Sequence, residues 1–431
     1  MNLTGQLGLG LLAVGEEPAI DAGSTAWMLT SCALVLLMVP GLAMFYGGLV
    51  RRKNVLSTMM HSFLAMAVLG VQWIVIGYAL CFGEDHAGII GFDWDKFCLN
   101  GIAYDALYGD RRIPELVFVM FQGKFAIITP ALISGAVAER MKLSSYVIFI
   151  ILWSTLIYCP LAHWVWGEGG WLLNYGVLDF AGGTVVHVSS GIAALVMAMM
   201  IGKRLTAPNE TLEPGNLILT LTGAGLLWFG WFGFNAGSAI ASDVQAAGSV
   251  AGLAFATTQT AAAAGALSWI VVEFMRKGRC TSLGLVSGIL AGLVAITPGA
   301  GHVEPRWALL IGLVAGAICY FAVHFKEHTG VYDDALDAFG VHGVGGAWGG
   351  IATGIFCFTP VAGIIDGQSG QLVKQFVGLA AAAAFAAVGT YLIALLLKRT
   401  IGLRVTEAQE LAGLDQSIHG EKSYRLIQGQ A

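Results

Sequence analysis

Two histidines, His187 and His342, lie in segments that otherwise consist of apolar residues and glycine. His187 ends the sequence Gly-Thr-Val-Val-His and His342 lies within Gly-Val-His-Gly, so the two segments resemble each other. Two neutral imidazoles in contact can share one proton, because each ring carries one donor and one acceptor nitrogen. Such a pair can hold a small hydrogen-bonding solute or relay a proton. Metal binding is the alternative, but no third ligand lies at a spacing typical of a metal site.

Asp179 begins the apolar segment that leads to His187. An aspartate in this position can accept hydrogen bonds from the first amides of a helix and complement the helix dipole. We expect this structural role rather than a direct contact with a substrate. The negative charge would still lower the energy of a cation nearby.

Aromatic residues are concentrated near the ends of several apolar segments. They are Trp164, Trp166, Trp171, Phe121, Phe125, Trp228, Trp231, Phe232 and Phe234. Tryptophan is enriched where membrane-spanning helices reach the interface, and this explains most of the 12 tryptophans. A cation held against ring faces is the alternative, worth ~0.5–2 kcal/mol per contact.

The composition of the 431-residue chain excludes several classes of protein. Hydrophobic residues make up 57% of the chain and charged residues only 11%, whereas soluble domains carry about 25% charged residues. So few charges cannot cover a water-soluble surface, and the high hydrophobicity excludes intrinsic disorder. The net charge of -5 argues against nucleic acid as a partner. The chain is therefore predicted to be a polytopic protein of the lipid bilayer.

Apolar runs of about 18–25 residues recur along the chain, and each can cross ~30 Å of hydrocarbon. We predict eleven transmembrane helices, at residues 27–50, 55–82, 114–138, 144–165, 179–201, 217–240, 248–274, 281–297, 307–325, 339–358 and 373–397. The predicted fold class is therefore an all-α membrane protein. The predicted divisions are an extracellular N-terminal segment (1–26), a transmembrane domain (27–397) and a cytoplasmic tail (398–431).

The loops between the predicted helices alternate in charge. One alternate set, with the tail, carries 16 of the 22 lysines and arginines. The positive-inside rule then places the N-terminus outside and the C-terminus in the cytoplasm. Acidic residues are concentrated on the opposite loops. Solvated loops explain most of them, and a weak attraction of cations to the outer face is the functional alternative.

The chain also shows weak internal symmetry. The two histidine segments resemble each other, and Phe-Tyr-Gly-Gly at 45–48 resembles Trp-Phe-Gly-Phe at 231–234. Because each repeat would have five spans, an odd number, the second repeat (217–358) would be inverted in the membrane relative to the first (27–201). The eleventh helix, at 373–397, would follow the two repeats. Inverted repeats place a substrate path near the midplane, at the interface between the repeats.

Several long motifs closely resemble those of ammonium transporters of the Amt/Mep/Rh family. They are Phe121-Gln-Gly-Lys-Phe125, Asp179-Phe-Ala-Gly-Gly-Thr-Val-Val-His187, Gly230-Trp-Phe-Gly-Phe-Asn-Ala-Gly-Ser238 and Phe339-Gly-Val-His-Gly343. The resemblance covers nearly the whole chain, and the Asn-Ala-Gly-Ser segment and the tail favour the Amt branch.

This resemblance implies a homotrimer in the cell membrane, with a separate narrow pore for ammonium or ammonia in each subunit. Trp166, Phe125 and Ser238 match the family's recruitment site, with Asp179 behind it. Phe125 and Phe234 match the gate, and Phe121 and Trp231 match the residues around it. His187 and His342 match the histidine pair that lines the pore and relays protons. The resemblance implies no enzymatic activity and no cofactor.

The predicted tail also resembles the family's C-terminal region. The matching residues are Gly413, Leu414, Asp415, His419, Gly420, Glu421 and Tyr424. In relatives this region packs on the cytoplasmic face and couples subunits, and trimeric PII-type proteins often dock there. A merely structural tail is the alternative.

Lys124 departs from the family pattern, because the family normally carries an uncharged residue at this position, next to the gate residue Phe125. An ammonium group near a cation pathway should repel cations or change its own protonation. The alternative is that Lys124 points into the subunit interface and pairs with an acid such as Asp105 or Glu115.

Three functions follow from the sequence. The first is a transporter or channel that recruits ammonium, deprotonates it and conducts ammonia. The second is a sensor of the same fold, which binds ammonium and signals through its tail with little or no transport; Lys124 and the unusual ending at 425–431 are compatible with it. The third, a water or gas channel, leaves the aromatic cation site unexplained.

Overall fold

The computed structural model describes residues 19–206, 212–242 and 247–424. Most of the predicted N-terminal segment (1–18) and the end of the predicted tail (425–431) lie outside the described residues. Almost all regular structure within the described ranges is helical, with one short β-hairpin. This confirms the predicted all-α fold class.

The first half of the chain consists of long helices, three of which contain a π-helical turn. The elements are α1 (Ala22–Leu49); α2 (Val55–Gln72), which continues through the turn Trp73–Gly77 into α3 (Tyr78–Phe82); the strands β1 (Asp85–His86) and β2 (Ile90–Gly91); α4 (Glu115–Val137); α5 (Leu143–Trp153), which continues through the turn Ser154–Tyr158 into α6 (Cys159–Trp166); α7 (Trp171–Tyr175); and the turn Gly183–Val188, which leads into α8 (Ser189–Ile201).

The second half repeats this organisation and ends in a short helical tail. The elements are α9 (Leu217–Ser242), α10 (Ala247–Lys277), α11 (Ser282–Ile296), α12 (Pro305–Thr329), the π-helical turn Phe339–Gly343 with α13 (Val344–Phe356), α14 (Gly370–Thr400), α15 (Glu407–Ala412) and α16 (Leu414–His419). We call the face formed by residues 83–113 and 167–182 the hairpin face. The opposite face, with residues 50–54, 138–142, 202–206, 330–338 and 401–424, is the tail face.

Each of the eleven predicted apolar segments coincides with a helix or with helices joined by a π-helical turn. Nine helices in the described ranges are long and apolar enough to cross a membrane. The helix α11 has only 15 residues, about 22 Å at 1.5 Å per residue, which is shorter than the hydrocarbon layer. The helix α13 is also short, with 13 residues after its π-helical turn. The count of eleven spans, their orientation and the inverted repeat therefore stay predictions.

The two halves of the chain meet at the π-helical turns that carry the histidines. The turn Gly183–Val188 packs against α13, and the turn Phe339–Gly343 packs against α8. Glycine is needed at this crossing, because a Cβ on Gly191 would lie 2.2 Å from the amide nitrogen of Gly343. Close backbone approach through small residues is typical of helices packed in membranes. It brings the two histidine segments together.

The tail packs on the rest of the chain through hydrogen bonds at specific positions. The Asp415 carboxylate accepts the amide of Ser57 at 2.8 Å, and the amide of Leu414 donates to Asn54 at 2.8 Å. Between them, Gly413 has a φ of +93° and lies so close to Lys53 that a Cβ would approach it to 2.5 Å. These contacts join α16 to the beginning of α2.

The remaining predicted tail residues continue along the same face. Gly420 ends α16 in the left-handed conformation, with a φ of +68°, and follows His419, the last residue of that helix. The amide of Glu421 donates to the Asp415 carbonyl, and the Tyr424 hydroxyl accepts a hydrogen bond from Asn216 at 2.8 Å. The tail thus contacts both halves of the chain.

A buried ionic cluster lies on the tail face beside the start of α2. The carboxylate of Glu139, 1% exposed, accepts hydrogen bonds from the Arg51 side chain at 3.1 Å, from Asn54 at 2.9 Å and from Arg204 at 3.3 Å. Arg204 also forms a two-point ion pair with Asp333. Burial raises the pKa of Glu139, but Arg204 and Arg51 outweigh it, so the pKa lies below its usual range.

Changing Glu139 to glutamine should destabilise the protein by about 3 kcal/mol at pH 7, because Arg51 and Arg204 lose the charge of the carboxylate that they share, and removing one partner of a buried ion pair is strongly destabilising. The folded-state pKa of Glu139 is depressed relative to an unfolded value of about 4.3. Its charge therefore stabilises the protein above that value, and the contribution is lost as the pH falls through the folded pKa. We expect the difference between wild type and Glu139→Gln, measured by unfolding in detergent, to shrink below about pH 4.

The matched control is Glu407→Gln, which neutralises an exposed carboxylate of the tail. Its stability should stay within about 0.5 kcal/mol of wild type. Equal stability of Glu139→Gln and Glu407→Gln at pH 7 would contradict a stabilising role for the cluster.

Candidate functional site

The two predicted histidines are in direct contact at the centre of the molecule. His187 and His342 are buried, and their Nδ1 atoms lie 3.2 Å apart. The rings are nearly parallel, with centroids 5.2 Å apart and planes inclined by 19°. Each histidine lies in a π-helical turn, a local widening of the helix that is frequent at functional sites.

The contact between the two rings determines which hydrogen bonds the pair can make elsewhere. Because one Nδ1 must donate and the other must accept, the two neutral rings are opposite tautomers. The pair therefore presents one Nε2 that donates and one that accepts. The Nε2 of His187 is buried without a hydrogen-bond partner in the described ranges. That atom is available to a solute beside the pair.

Asp179 holds the π-helical turn of His187 in place. Its carboxylate accepts four backbone amides, from Gly182, Gly183, Thr184 and Val185, at 2.6–2.9 Å. The side chain is buried, and the four amides compensate its charge. Asp179 therefore has the structural capping position that its place in the sequence predicts.

Asp334 is the counterpart of Asp179 in the second half, and sequence reasoning missed it. Asp334 precedes His342 by eight residues, the spacing between Asp179 and His187. Its buried carboxylate accepts the amide of Phe339, the first residue of the other π-helical turn, at 2.7 Å. The repeated spacing was the signal that could have identified it.

An aromatic layer covers the histidine pair on the side of the hairpin face. The rings of Phe125 and Phe234 lie in contact, with centroids 4.3 Å apart, and Phe121 packs on Phe125 at 5.0 Å. Trp231 stacks on the His187 ring at 5.4 Å. Phe234 lies 6.0 Å from the same ring. The layer and the histidine pair are thus adjacent.

Trp166 and Ser238 lie at the edge of this layer. The Trp166 ring meets Phe125 edge to face at 6.0 Å, and its indole N–H donates to the Asp179 carbonyl at 2.8 Å. The Ser238 hydroxyl donates to the Phe234 carbonyl at 2.9 Å, which leaves its oxygen free to accept. The structure therefore brings the predicted recruitment and gate residues together around Phe125 and Phe234.

Two cavities adjoin the histidine pair. The first has a volume of about 20 Å³, is lined by apolar side chains and by both histidines, and has room for one molecule the size of water. The second, of about 570 Å³, opens at the tail face and reaches His342. Phe45, Tyr46 and Leu290 line both cavities, so they are neighbours. A small apolar cavity of this kind penalises ions heavily and favours small neutral solutes that can hydrogen-bond.

Lys124 lies beside this layer but does not contribute to the cavities next to the histidines. Its side chain is half-buried. Among the described residues no ion pair joins Lys124 to Asp105 or Glu115, and the Glu115 carboxylate instead accepts the Tyr78 hydroxyl at 2.6 Å. The ion pair suggested for Lys124 is therefore not formed within this chain.

Fold and site together define a helical membrane protein in which a buried histidine pair lies between an aromatic layer and a cavity at one face. The model of the Ammonium Transporter Family matches residues 26–424. The chain belongs to this family, which confirms the prediction made from the motifs.

The comparisons also show similarity to individual members. An "Ammonium transporter" of Bacillus subtilis (strain 168) is 48% identical over 411 residues, which covers 94% of this chain and 99% of that protein. The solved structure of Candida albicans Mep2 is 35% identical, with a TM-score of 0.83, and the match covers 90% of this chain and 88% of that one. A structure described as "Sensor Amt Protein" is 31% identical, with a TM-score of 0.83 and coverage of 92% and 98%.

Proposed function

We propose that the chain is a channel that recruits ammonium at the hairpin face, removes a proton near the aromatic gate and conducts ammonia past the histidine pair. The observation that carries this proposal is the direct contact of His187 and His342, 3.2 Å between Nδ1 atoms, below the contact of Phe125 and Phe234. The pair would supply hydrogen bonds to a solute in the small, mostly apolar cavity that both histidines line.

Recruitment would use the groups at the edge of the aromatic layer. A cation above Phe125 and beside Trp166 gains a cation–π contact with each ring, and the Ser238 oxygen can accept a hydrogen bond from it. The Asp179 carboxylate is occupied by four amides. Asp179 would therefore act on the cation through the electric field of its carboxylate. Its backbone carbonyl would also position Trp166, because it accepts the indole N–H of that residue.

Selection would occur at the gate, because Phe125 and Phe234 exclude a hydrated ion. Ammonium and potassium are similar in size and charge, so a cavity cannot separate them by fit alone. Ammonium can lose a proton and cross as neutral ammonia, whereas potassium has no neutral form and would pay the full cost of an ion in hydrocarbon. Phe121 and Trp231 complete the apolar surroundings.

The proton would follow a separate route through the imidazoles. Because the pair presents one donor and one acceptor Nε2, it can take up a proton at one end and release one at the other. His342 borders the cavity at the tail face, where the proton could reach water. This would make transport electrogenic.

Assembly, partners and orientation belong to the same proposal. Large apolar side chains on α9 and α10, including Phe229, Phe255 and Leu267, are exposed on the single chain, which supports burial in a homotrimer or in lipid. The tail face carries most of the basic loops, which supports a cytoplasmic location in the cell membrane. The ordered tail from Gly413 to Tyr424 would be the surface for subunit coupling and for a PII-type regulator.

A sensor is the second candidate, and two observations favour it. The similarity to the structure described as "Sensor Amt Protein" covers nearly the whole chain. Lys124 also places a half-buried cationic side chain next to the gate residue Phe125. In this case ammonium would bind at the aromatic site, and the tail would report it.

Growth of an ammonium-uptake-deficient yeast strain on low ammonium distinguishes the two functions. We expect the wild-type chain to restore growth, because the histidine pair and gate are complete. Lys124→Met should grow equally well or better, since it removes a positive charge near the cation path without altering the cavities. Uptake of labelled methylammonium by the same cells gives the rate.

Surface expression measured for both chains is the control for this experiment. Failure of a well-expressed wild type to support growth, with rescue by Lys124→Met, would favour the sensor and assign the block to Lys124. Failure of both would overturn the transport proposal.

A further inference from the structure

The cavity of about 570 Å³ at the tail face reaches His342, so a proton that leaves the histidine pair on this side enters it. Such a proton needs a group that can take it up and give it to water, either directly or through one water molecule. Among the described residues, the carboxylates that line the cavity are Glu273, Glu327, Asp333 and Asp337. Their hydrogen bonds distinguish them.

Two of these carboxylates are occupied by other parts of the chain. Asp333 accepts two hydrogen bonds from the Arg204 side chain and one from the Arg204 amide, at 2.8–2.9 Å. Glu273, 4% exposed, accepts the amide of Thr281 at 3.0 Å and its hydroxyl at 3.1 Å. Protonation of either carboxylate would weaken hydrogen bonds that hold the fold together. Neither is suited to take up and release protons repeatedly.

The other two carboxylates differ in their distance along the chain from the histidine pair. Glu327 lies on α12 and is exposed, and its contact is with His324 of the same helix at 3.4 Å. Asp337 lies in the loop after α12, two residues before the π-helical turn that carries His342. The amide of Val341, the neighbour of His342, donates to the Asp337 carbonyl at 3.0 Å. Asp337 is therefore fixed next to the turn from which the proton would leave.

An ion pair holds the Asp337 carboxylate in the cavity. Its Oδ1 accepts the ammonium group of Lys326, which also donates to the Asp334 carbonyl at 2.8 Å. The Asp337 side chain is 33% exposed and lines the same cavity as His342. The carboxylate thus has one oxygen on a fixed partner and an accessible side that can accept a proton.

The surroundings of Asp337 also suit a group that exchanges protons. Removal from bulk water raises the pKa of the Asp337 carboxyl to about 6, although the charge of Lys326 acts in the opposite direction. The carboxylates of Asp334 and Glu327 add to the rise. A carboxyl whose pKa lies near the working pH can both take up and release a proton.

We propose that Asp337 accepts the proton that leaves the histidine pair at His342 and passes it to the water of the cavity at the tail face. The proposal rests on the proposed conduction of ammonia with a separate route for the proton. In this step the histidine pair loses the proton that it took up and returns to its neutral form, while the Asp337 carboxylate becomes a carboxylic acid. The acid then gives the proton to water or to an ammonia molecule in the cavity, which becomes ammonium, and the carboxylate is restored.

Asp337→Asn removes the proton acceptor with little change in shape. Asp337 has a φ of +61°, a left-handed conformation that asparagine tolerates as aspartate does. The asparagine oxygen can also accept the Lys326 ammonium group. Glu327→Gln is the matched control, because it neutralises an exposed carboxylate of the same cavity.

Proteoliposomes report the charge and the ammonia separately. Solid-supported membrane electrophysiology measures the charge, and a pH-sensitive dye inside the liposomes measures the alkalinisation caused by ammonia that enters without its proton, relative to protein-free liposomes. We expect Asp337→Asn to lower the ammonium-dependent current by at least about ten-fold and to raise the alkalinisation above that of wild type. Glu327→Gln should match wild type in both signals. A parallel fall of both signals in Asp337→Asn would indicate structural damage and contradict the proposal.

Lys326→Gln distinguishes the carboxylate from the ion pair. It removes the partner but keeps the acceptor, so its current should remain coupled to ammonia, without the additional alkalinisation. Identical results for Lys326→Gln and Asp337→Asn would overturn the role of Asp337 as proton acceptor. If Asp337→Asn does not fold, Asp337→Gly takes its place, since glycine also adopts a positive φ.

The same recordings separate this proposal from the proposed channel function. A wild type without ammonium-dependent current would overturn the channel function and the role of Asp337 with it. A wild-type current that Asp337→Asn leaves intact would overturn the role of Asp337 alone.

Discussion

Replacing His187 and His342 together by alanine should abolish selective ammonium-dependent current in proteoliposomes. The pair lines a small cavity whose other side chains are mostly apolar. Without it a proton would have to cross as an ion in hydrocarbon, at a cost of about 3 kcal/mol or more, which corresponds to a roughly hundred-fold loss of current. Solid-supported membrane electrophysiology with ammonium and with potassium measures both rate and selectivity.

The matched control is His61→Ala, because His61 is equally buried but packs against Tyr146, away from the cavities beside the pair. It should retain current within a few-fold of wild type. An ammonium-dependent current that survives the double replacement with selectivity intact would contradict the proton relay. A current that survives with potassium now conducted would show that the pair is needed for selection.

The second large effect is expected for Asp179→Ala. The change leaves four buried amides without the acceptor that they share, and each unsatisfied group costs about 1–3 kcal/mol. We therefore expect a loss of at least about 4 kcal/mol in the free energy of unfolding in a detergent–denaturant titration. Uptake should fall to background, since the π-helical turn that positions His187 loses its cap.

Asparagine replacements at Asp179 and Asp334 separate charge from shape. Asp179→Asn should reduce the free energy of unfolding by about half as much as Asp179→Ala does. The asparagine amide keeps one acceptor oxygen, but it turns an NH₂ group toward two of the N–H donors. Asp334→Asn should cost less, since the asparagine oxygen can keep the hydrogen bond that the Asp334 carboxylate accepts from the amide of Phe339. Equal losses for the two asparagine variants would contradict the capping role derived from the hydrogen bonds.

Both predictions depend on residues that the sequence indicated to different degrees. His187 and His342 were predicted because ionisable residues are rare in apolar segments. Asp334 has the same eight-residue spacing to His342, which was the available signal, but only the structure shows that its carboxylate accepts the amide of Phe339 at the start of the π-helical turn. The π-helical turns themselves have no simple periodic signal, since one widened turn hardly changes the pattern of apolar residues.

Other contacts join residues that are far apart in the chain, so the sequence contained no local signal for them. The pairing of Glu139 with Arg51 and Arg204 is one example. The hydrogen bond between His163 in α6 and Asp85 in β1 is another. Among the residues that the structure describes, Lys124 forms no ion pair with Asp105 or Glu115, and the Glu115 carboxylate accepts the Tyr78 hydroxyl.

The sequence by itself determined the class of protein, the apolar segments and the family. Each of these depends on composition, on the length of apolar runs or on long ordered motifs, and none requires distances. The tertiary structure decided which rings touch, which amides Asp179 accepts and how closely the two histidines approach. Those properties arise where helices from different parts of the chain cross, and their energies change steeply within about 1 Å, the range over which a hydrogen bond is made or lost.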